Sequence, residues 1–170
     1  MIWEELNENL VFESLDAKST DAIFEQMGRK MIDGGFAKES YIEGLKKREA
    51  EFPTGLDLGE IGVAIPHTEV EFALQEAFAI ARLKEPVSFI QMGSDDEPVQ
   101  VHLVIMMCVK HPHEHLEHLT RILKIIQDTN TLKRILKAKG RSEMIHALKD
   151  KEMELEIEAI RCQDTPTIRA

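Results

Sequence analysis

The sequence predicts an α/β fold, on three observations. Short apolar runs bounded by proline, glycine or polar clusters recur between Leu10 and Val109, as strands do. Other stretches carry apolar residues at helical spacing behind capping residues. The 170 residues show no internal repeat and no linker composition, so they fit one domain with a real core, helical in its C-terminal half.

Leu10-Val11-Phe12 reads as a short strand. Ser19-Thr20-Asp21 supplies a cap, Ile23, Met27 and Met31 recur every fourth residue, and Gly34-Gly35 stop the pattern, which predicts a helix over 20–33. A second helix is expected from about Lys38 to Glu51, with Tyr41, Leu45, Arg48 and Phe52 facing inward. An arginine on that stripe either meets an anionic partner or reaches water with its head. Pro53-Thr54-Gly55 reads as a turn.

Gly62-Val63-Ala64-Ile65-Pro66-His67 reads as a short buried strand closed by proline, with Val63, Ile65 and His67 on one face if extended. A histidine at the C-terminal end of a buried strand stands where α/β sheets place functional groups. The plainer alternative is a half-buried ring satisfied by a backbone carbonyl. Ala77–Leu83 is apolar on both parities, as a central strand is, and Glu85-Pro86 is expected to end it before a separate strand, Val87–Ile90. Val99–Val109 is the longest expected strand, with Val99, Val101, Leu103, Ile105, Met107 and Val109 on one face.

His111-Pro112 opens a helix whose stripe is His115, Leu119, Ile122 and Ile126, widened by Leu116 and Leu123. Asp128-Thr129-Asn130 ends it and caps another, with Leu132, Ile135 and Leu136 inward. Ser142 opens a last short helix carrying Ile145 and Leu148. Beyond Asp150 strand and helix both fit, and Gln163 to Ala170 reads as a loose terminus.

Composition excludes several functions. The net charge of −10, from 31 acidic and 21 basic residues, repels nucleic acid and anionic membranes and suits a basic protein partner or none that is charged. No apolar run is long enough to cross a bilayer, and the acidic start Met1-Ile2-Trp3-Glu4-Glu5 lacks signal-peptide order. Two distant cysteines, Cys108 and Cys162, suggest reduced thiols and a cytoplasmic protein, with Cys108 in the core. There is no GxGxxG, no GxxxxGK[ST] and no GxSxG.

Histidines carry the chemistry. The run His111-Pro112-His113-Glu114-His115-Leu116-Glu117-His118 suggests zinc, but His113 points away from the stripe that holds His115, His118 lies at its flank, and no HExxH is present. No metal is expected, and His113 and His118 read as solvated. His115 shares its stripe with core aliphatics, close in sequence to the end of the long strand, so it can face the same end of the sheet as His67. A neutral imidazole is a good nucleophile near neutral pH, and a phosphoimidazole keeps a high transfer potential without a metal. Arg48 and His115 then supply the cation and donor that a moving phosphoryl group needs.

Val63-Ala64-Ile65-Pro66-His67, preceded by Arg48-Glu49 and Phe52-Pro53-Thr54-Gly55, resembles the fructose/mannitol/galactitol class of EIIA components of the phosphoenolpyruvate-dependent sugar phosphotransferase system. Arg48 to Gly55 and Lys84-Glu85-Pro86-Val87-Ser88-Phe89 resemble the galactitol branch most. The resemblance implies a three-layer α/β fold, a mixed central β-sheet with helices on both faces. It implies that His67 accepts phosphate from phospho-HPr and passes it to a cysteine of an EIIB component, which serves the EIIC membrane permease. Arg48 matches the family's arginine beside the phosphoryl group. Glu114-His115-Leu116 matches a second histidine near the site, which galactitol-like members do not all keep. No cofactor is implied. The resemblance spans roughly residues 5–150, so 1–150 is expected to be the EIIA domain and 151–170 a C-terminal extension.

The expectation is therefore a cytoplasmic phosphocarrier that relays phosphate between proteins through His67. The rival is a regulatory relative, phosphorylated on histidine but moving no sugar; the absence of an accompanying DNA-binding segment favours the carrier. A metal-dependent hydrolase built on the histidine run is the third reading, separable by metal analysis.

Overall fold

Ser19 starts the first long helix as its chemistry demands: its Oγ accepts the backbone N–H of Ala22 at 3.1 Å, and helix α2 runs Thr20–Asp33 to a stop at Gly34. The computed structural model describes residues 2–163, apart from the side chains of Trp3 and Glu5. The expected loose terminus lies, past Gln163, outside the described residues. In chain order the elements are α1 (Ile2–Glu5), β1 (Leu6–Leu15), α2, α3 (Tyr41–Glu51), β2 (Gly55–Asp57), β3 (Gly62–Ala64), a 3-10 turn (Val70–Phe72), β4 (Ala77–Ile90), β5 (Pro98–Cys108), α4 (Pro112–Ile126), α5 (Thr129–Lys137) and α6 (Arg141–Gln163).

The five strands form one sheet in the order β1-β4-β5-β3-β2. β1 runs parallel to β4, β4 antiparallel to β5, β3 parallel to β5, and β2 antiparallel to β3. The sheet is mixed, and each face carries its own apolar cluster. Ile23, Phe24, Met27 and Met31 of α2 and Tyr41, Ile42 and Leu45 of α3 pack with Ala77, Ala79 and Ala81 on one side. Ile122, Ile125 and Ile126 of α4, Leu132 and Ile135 of α5 and Met144 and Leu148 of α6 pack with Phe78 and Ile80 on the other. This is the expected three-layer α/β architecture.

Several local expectations are corrected. β4 continues through Glu85-Pro86; its ladder to β5 skips between Arg82 and Val87, and pairing with β1 ends at Leu83, so Pro86 sits where no ladder bond is asked of it. β4, at 14 residues, and not β5, at 11, is thus the longest strand. Nor does β5 keep one face. Gly62 pairs with Val101 but Val63 with Leu103, so His102 is an extra residue and the parity flips. Val99 and Val101 join the α2–α3 side, while Leu103, Ile105 and Met107 join the α4–α6 side. Only glycine fits at position 62, because a Cβ there would lie 2.0 Å from the Gln100 carbonyl oxygen.

The last helix is long: α6 covers 23 residues and crosses Asp150 without a break. Glu152 within it is fully buried, where its Oε1 accepts the backbone N–H of Ile2 at 2.9 Å and lies 3.7 Å from Nη1 of Arg121 on α4. Two inward-facing expectations fail. Phe52 is 59% exposed because α3 ends at Glu51 and the chain turns, and Leu116 is 69% exposed because it lies on the outer side of the first turns of α4.

Candidate functional site

His67 lies just beyond the C-terminal end of β3, and neighbouring strands fix the segment before it. The N–H of Ile65 donates to the Thr54 carbonyl at 3.3 Å, and the N–H of Met107 on β5 donates to the Pro66 carbonyl at 3.0 Å. Proline ends the ladder because it has no N–H to continue it. The His67 side chain then folds back, its Nδ1 at 2.8 Å from the carbonyl oxygen of Ile65. A carbonyl only accepts, so Nδ1 carries the proton and the neutral ring holds its free lone pair on Nε2. The residue is 6% exposed.

His115 reaches the same place by topology. β5 runs parallel to β3, so the two strands end on the same edge of the sheet, and α4 starts four residues after β5 ends. Pro112 takes the first helical position and the N–H of His115 donates to the His111 carbonyl at 3.2 Å, closing the first turn. The His115 ring stands edge to face on His67, with centroids 4.8 Å apart and an interplanar angle of 81°.

Arg48 comes from the last turn of α3. Its guanidinium carbon lies 4.2 Å from the centroid of the Phe52 ring, and its Nε lies 3.6 Å from Oε1 of Glu69. Both readings of its sequence position hold in part: it has an anionic neighbour, and its head is partly in water. The structure thus gathers the three residues singled out from sequence, and the charge of Arg48 acts on both imidazoles.

Two carboxylates complete the arrangement and were not singled out from sequence. Glu49 holds Thr54 with both oxygens, Oε1 accepting the backbone N–H at 2.8 Å and Oε2 the hydroxyl at 2.7 Å. Thr54 in turn anchors Ile65, and so the backbone acceptor of His67. Glu69 accepts the Thr68 hydroxyl on Oε2 at 2.9 Å while Oε1 faces Arg48. The spacing of Glu49 to Thr54 across Pro53 was the available signal for the first. Adjacency to Thr68 gave none for the second.

Burial lowers the proton affinity of His67, against the opposing hydrogen bond to Ile65, and His115 and Arg48 lower it further. Burial and Arg48 lower that of His115 as well. Both rings are held neutral to lower pH than an ordinary histidine, which suits a nucleophile and a donor. Cys108 is no rival nucleophile. It is buried, its Sγ lies 3.3 Å from the Phe36 carbonyl, and burial pushes its thiol up to about 12.

Of the other histidines, His113 is exposed, as expected. His118 is not solvated: its ring packs edge to face on Phe78 at 5.1 Å, and its Nδ1 lies 3.7 Å from Oε2 of Glu76. Among the described residues no three His, Cys, Asp or Glu side chains are grouped to hold a metal ion.

Comparison with known proteins adds to this geometry. A family model described as phosphoenolpyruvate-dependent sugar phosphotransferase system, EIIA 2, matches residues 4–151. The galactitol-specific EIIA component of Escherichia coli K12 is 32% identical over 114 residues, which cover 67% of this chain and 75% of that protein. The complex of enzyme IIA-mannitol with phosphorylated enzyme IIB-mannitol from Escherichia coli superposes with a TM-score of 0.71 at 20% identity, over 85% of this chain and 96% of that one. The nitrogen regulatory protein IIA-Ntr of Neisseria meningitidis superposes with a TM-score of 0.68 at 24% identity, over 86% of this chain and 98% of that one.

Proposed function

This chain belongs to the EIIA 2 family of the phosphoenolpyruvate-dependent sugar phosphotransferase system, and from that premise we propose that it carries the phosphoryl group on Nε2 of His67. Phosphotransferase activity comes with the family; the histidine, its helpers and its exchange partners are the proposal. One observation carries it: Nδ1 of His67 is engaged by the Ile65 carbonyl at 2.8 Å, which leaves Nε2 with the lone pair.

In the proposed cycle the Nε2 lone pair attacks the phosphorus of phospho-HPr. A new P–N bond forms as the donor's P–N bond breaks, and the departing pair stays on the donor's nitrogen. On transfer to EIIB a cysteine thiolate forms a P–S bond, and the P–N electrons return to Nε2. The proton stays on Nδ1, donated to the Ile65 carbonyl throughout, so no base is required. Arg48 and His115 offer positive charge and a ring donor to the phosphoryl oxygens, the electrostatic help such a transfer uses. The E. coli relative named as galactitol-specific supports uptake of a sugar or sugar alcohol, with the EIIC permease served indirectly. The carrier is proposed to act in the cytoplasm; no helix among the described residues is long and apolar enough to cross a membrane. Residues 1–150 are taken as the EIIA domain and 151–170 as an extension whose helical part packs back on it.

The test is incubation with phosphoenolpyruvate, enzyme I and HPr. One acid-labile phosphoryl group is expected on the wild type and none on His67→Gln; labelling that survives the substitution overturns the assignment.

A further inference from the structure

Arg48 is already engaged by an anion in the unphosphorylated site. Oε1 of Glu69 stands 3.6 Å from its Nε, and the buried Thr68 hydroxyl fixes the other carboxylate oxygen at 2.9 Å. A glutamate with one oxygen hydrogen-bonded and the other facing a guanidinium thus lies two residues after the proposed phosphoryl acceptor. We propose that Glu69 is a positioning residue that holds Arg48 in place of the phosphoryl group and competes with that group for it, keeping phospho-His67 high enough in free energy to be passed on. The inference rests on the phosphocarrier reading and goes beyond it.

A phosphoryl group brings nearly two negative charges and oxygens that accept strongly from a guanidinium. Without Glu69, Arg48 would turn wholly to those oxygens and stabilise the phosphorylated form. With Glu69 present the guanidinium is shared, which raises the phosphorylated form relative to the free one. A relay needs this, since a carrier that holds its cargo too tightly does not release it. Glu69 and Arg48 already act in opposite directions on the His67 ring: the carboxylate raises its proton affinity and the guanidinium lowers it. Phe52, whose ring lies 4.2 Å from the guanidinium carbon, limits where Arg48 can swing.

The experiment is a double-mutant cycle on the full chain: wild type, Glu69→Gln, Arg48→Ala and the double variant. Phosphoryl exchange with phospho-HPr is brought to equilibrium, and the fraction of phospho-His67 is read by phosphorus NMR. Glu69→Gln is expected to shift the equilibrium toward the phosphorylated protein by about threefold to tenfold and to slow onward transfer to EIIB. In the Arg48→Ala background the shift should shrink to less than about twofold. An unchanged equilibrium in Glu69→Gln overturns the proposal, and so does an equal shift in both backgrounds, which would mean a general charge effect. A second readout needs no phosphate: Glu69→Gln should lower the titration midpoint of His67 in the free protein, where it faces Ile65, His115 and Arg48. A normal midpoint shift in a protein that never labels on His67 would overturn the phosphocarrier reading instead.

Discussion

The rings of His67 and His115 meet edge to face with centroids 4.8 Å apart, although 48 positions of sequence separate them. Parallel β3 and β5 end on one edge of the sheet, and each histidine follows one of those ends. His115 therefore stands beside the ring proposed to carry the phosphoryl group. Replacing it with alanine should leave His67 phosphorylatable but slow transfer, on the order of a hundred- to a thousandfold if the donor acts in the transition state. Stopped-flow comparison of uptake from phospho-HPr and release to EIIB checks this; equal rates in wild type and His115→Ala would remove His115 from the mechanism.

Glu49→Ala should loosen the acceptor loop from a distance. It leaves the N–H and hydroxyl of the buried Thr54 without their acceptor, at a cost of about 1–3 kcal/mol. Because the Thr54 carbonyl holds the Ile65 N–H, hydrogen exchange at Ile65 should speed up together with the loss of stability. Denaturant unfolding and amide exchange measure the two, and a stable variant with unaltered exchange at Ile65 would refute the connection.

Gly44 is where α3 lets the acceptor loop come close. A Cβ there would lie 3.1 Å from both the Phe72 ring and the Thr68 hydroxyl. Gly44→Ala gains about 1 kcal/mol of helix propensity and loses a similar amount to crowding, so net stability should change little. Thr68 must move instead, and uptake by the adjacent His67 should fall on the order of tenfold. Thermal melts beside uptake kinetics test the prediction, which fails if uptake stays at the wild-type value.

The pH dependence follows from burial. Burial lowers the proton affinity of His67, with help from His115 and Arg48 against the Ile65 hydrogen bond. The neutral, nucleophilic ring should persist below the ordinary histidine midpoint, and phosphoryl uptake should fade only at more acid pH. The unfolded chain binds this proton more tightly than the folded one. His67 therefore costs no stability above the ordinary histidine value, and a growing amount as the pH falls from there to the lower folded value. An NMR titration of the imidazole resonances reads the midpoint; a value at or above that of an unburied histidine would contradict the account.

Much of this was legible in sequence because local chemistry decided it. Ser19 and Asp128 cap their helices, Pro112 starts α4, and the short apolar run before Pro66 identifies β3. His67, Arg48 and His115 could be singled out because each is a polar group where an apolar one was due. What stayed hidden is set by partners distant in sequence. The bulge at His102 inverts half of β5, and it lies beside the close approach of Gly62 to the Gln100 carbonyl, a contact no window of sequence contains. Pro86 reads as a strand end, yet β4 runs through it because the ladder is interrupted there. Glu69 looked like one more surface glutamate in an acidic chain; only folding brings Arg48 beside it.

Nitrogen–phosphorus correlation NMR of the ¹⁵N-labelled, phosphorylated protein locates the phosphoryl group proposed on Nε2 of His67. A single phosphorus resonance coupled to Nε2 of His67 is expected, with Nδ1 still protonated and hydrogen-bonded to Ile65. A phosphorus coupled to Nδ1 of His67, or to a nitrogen of His115, would contradict it.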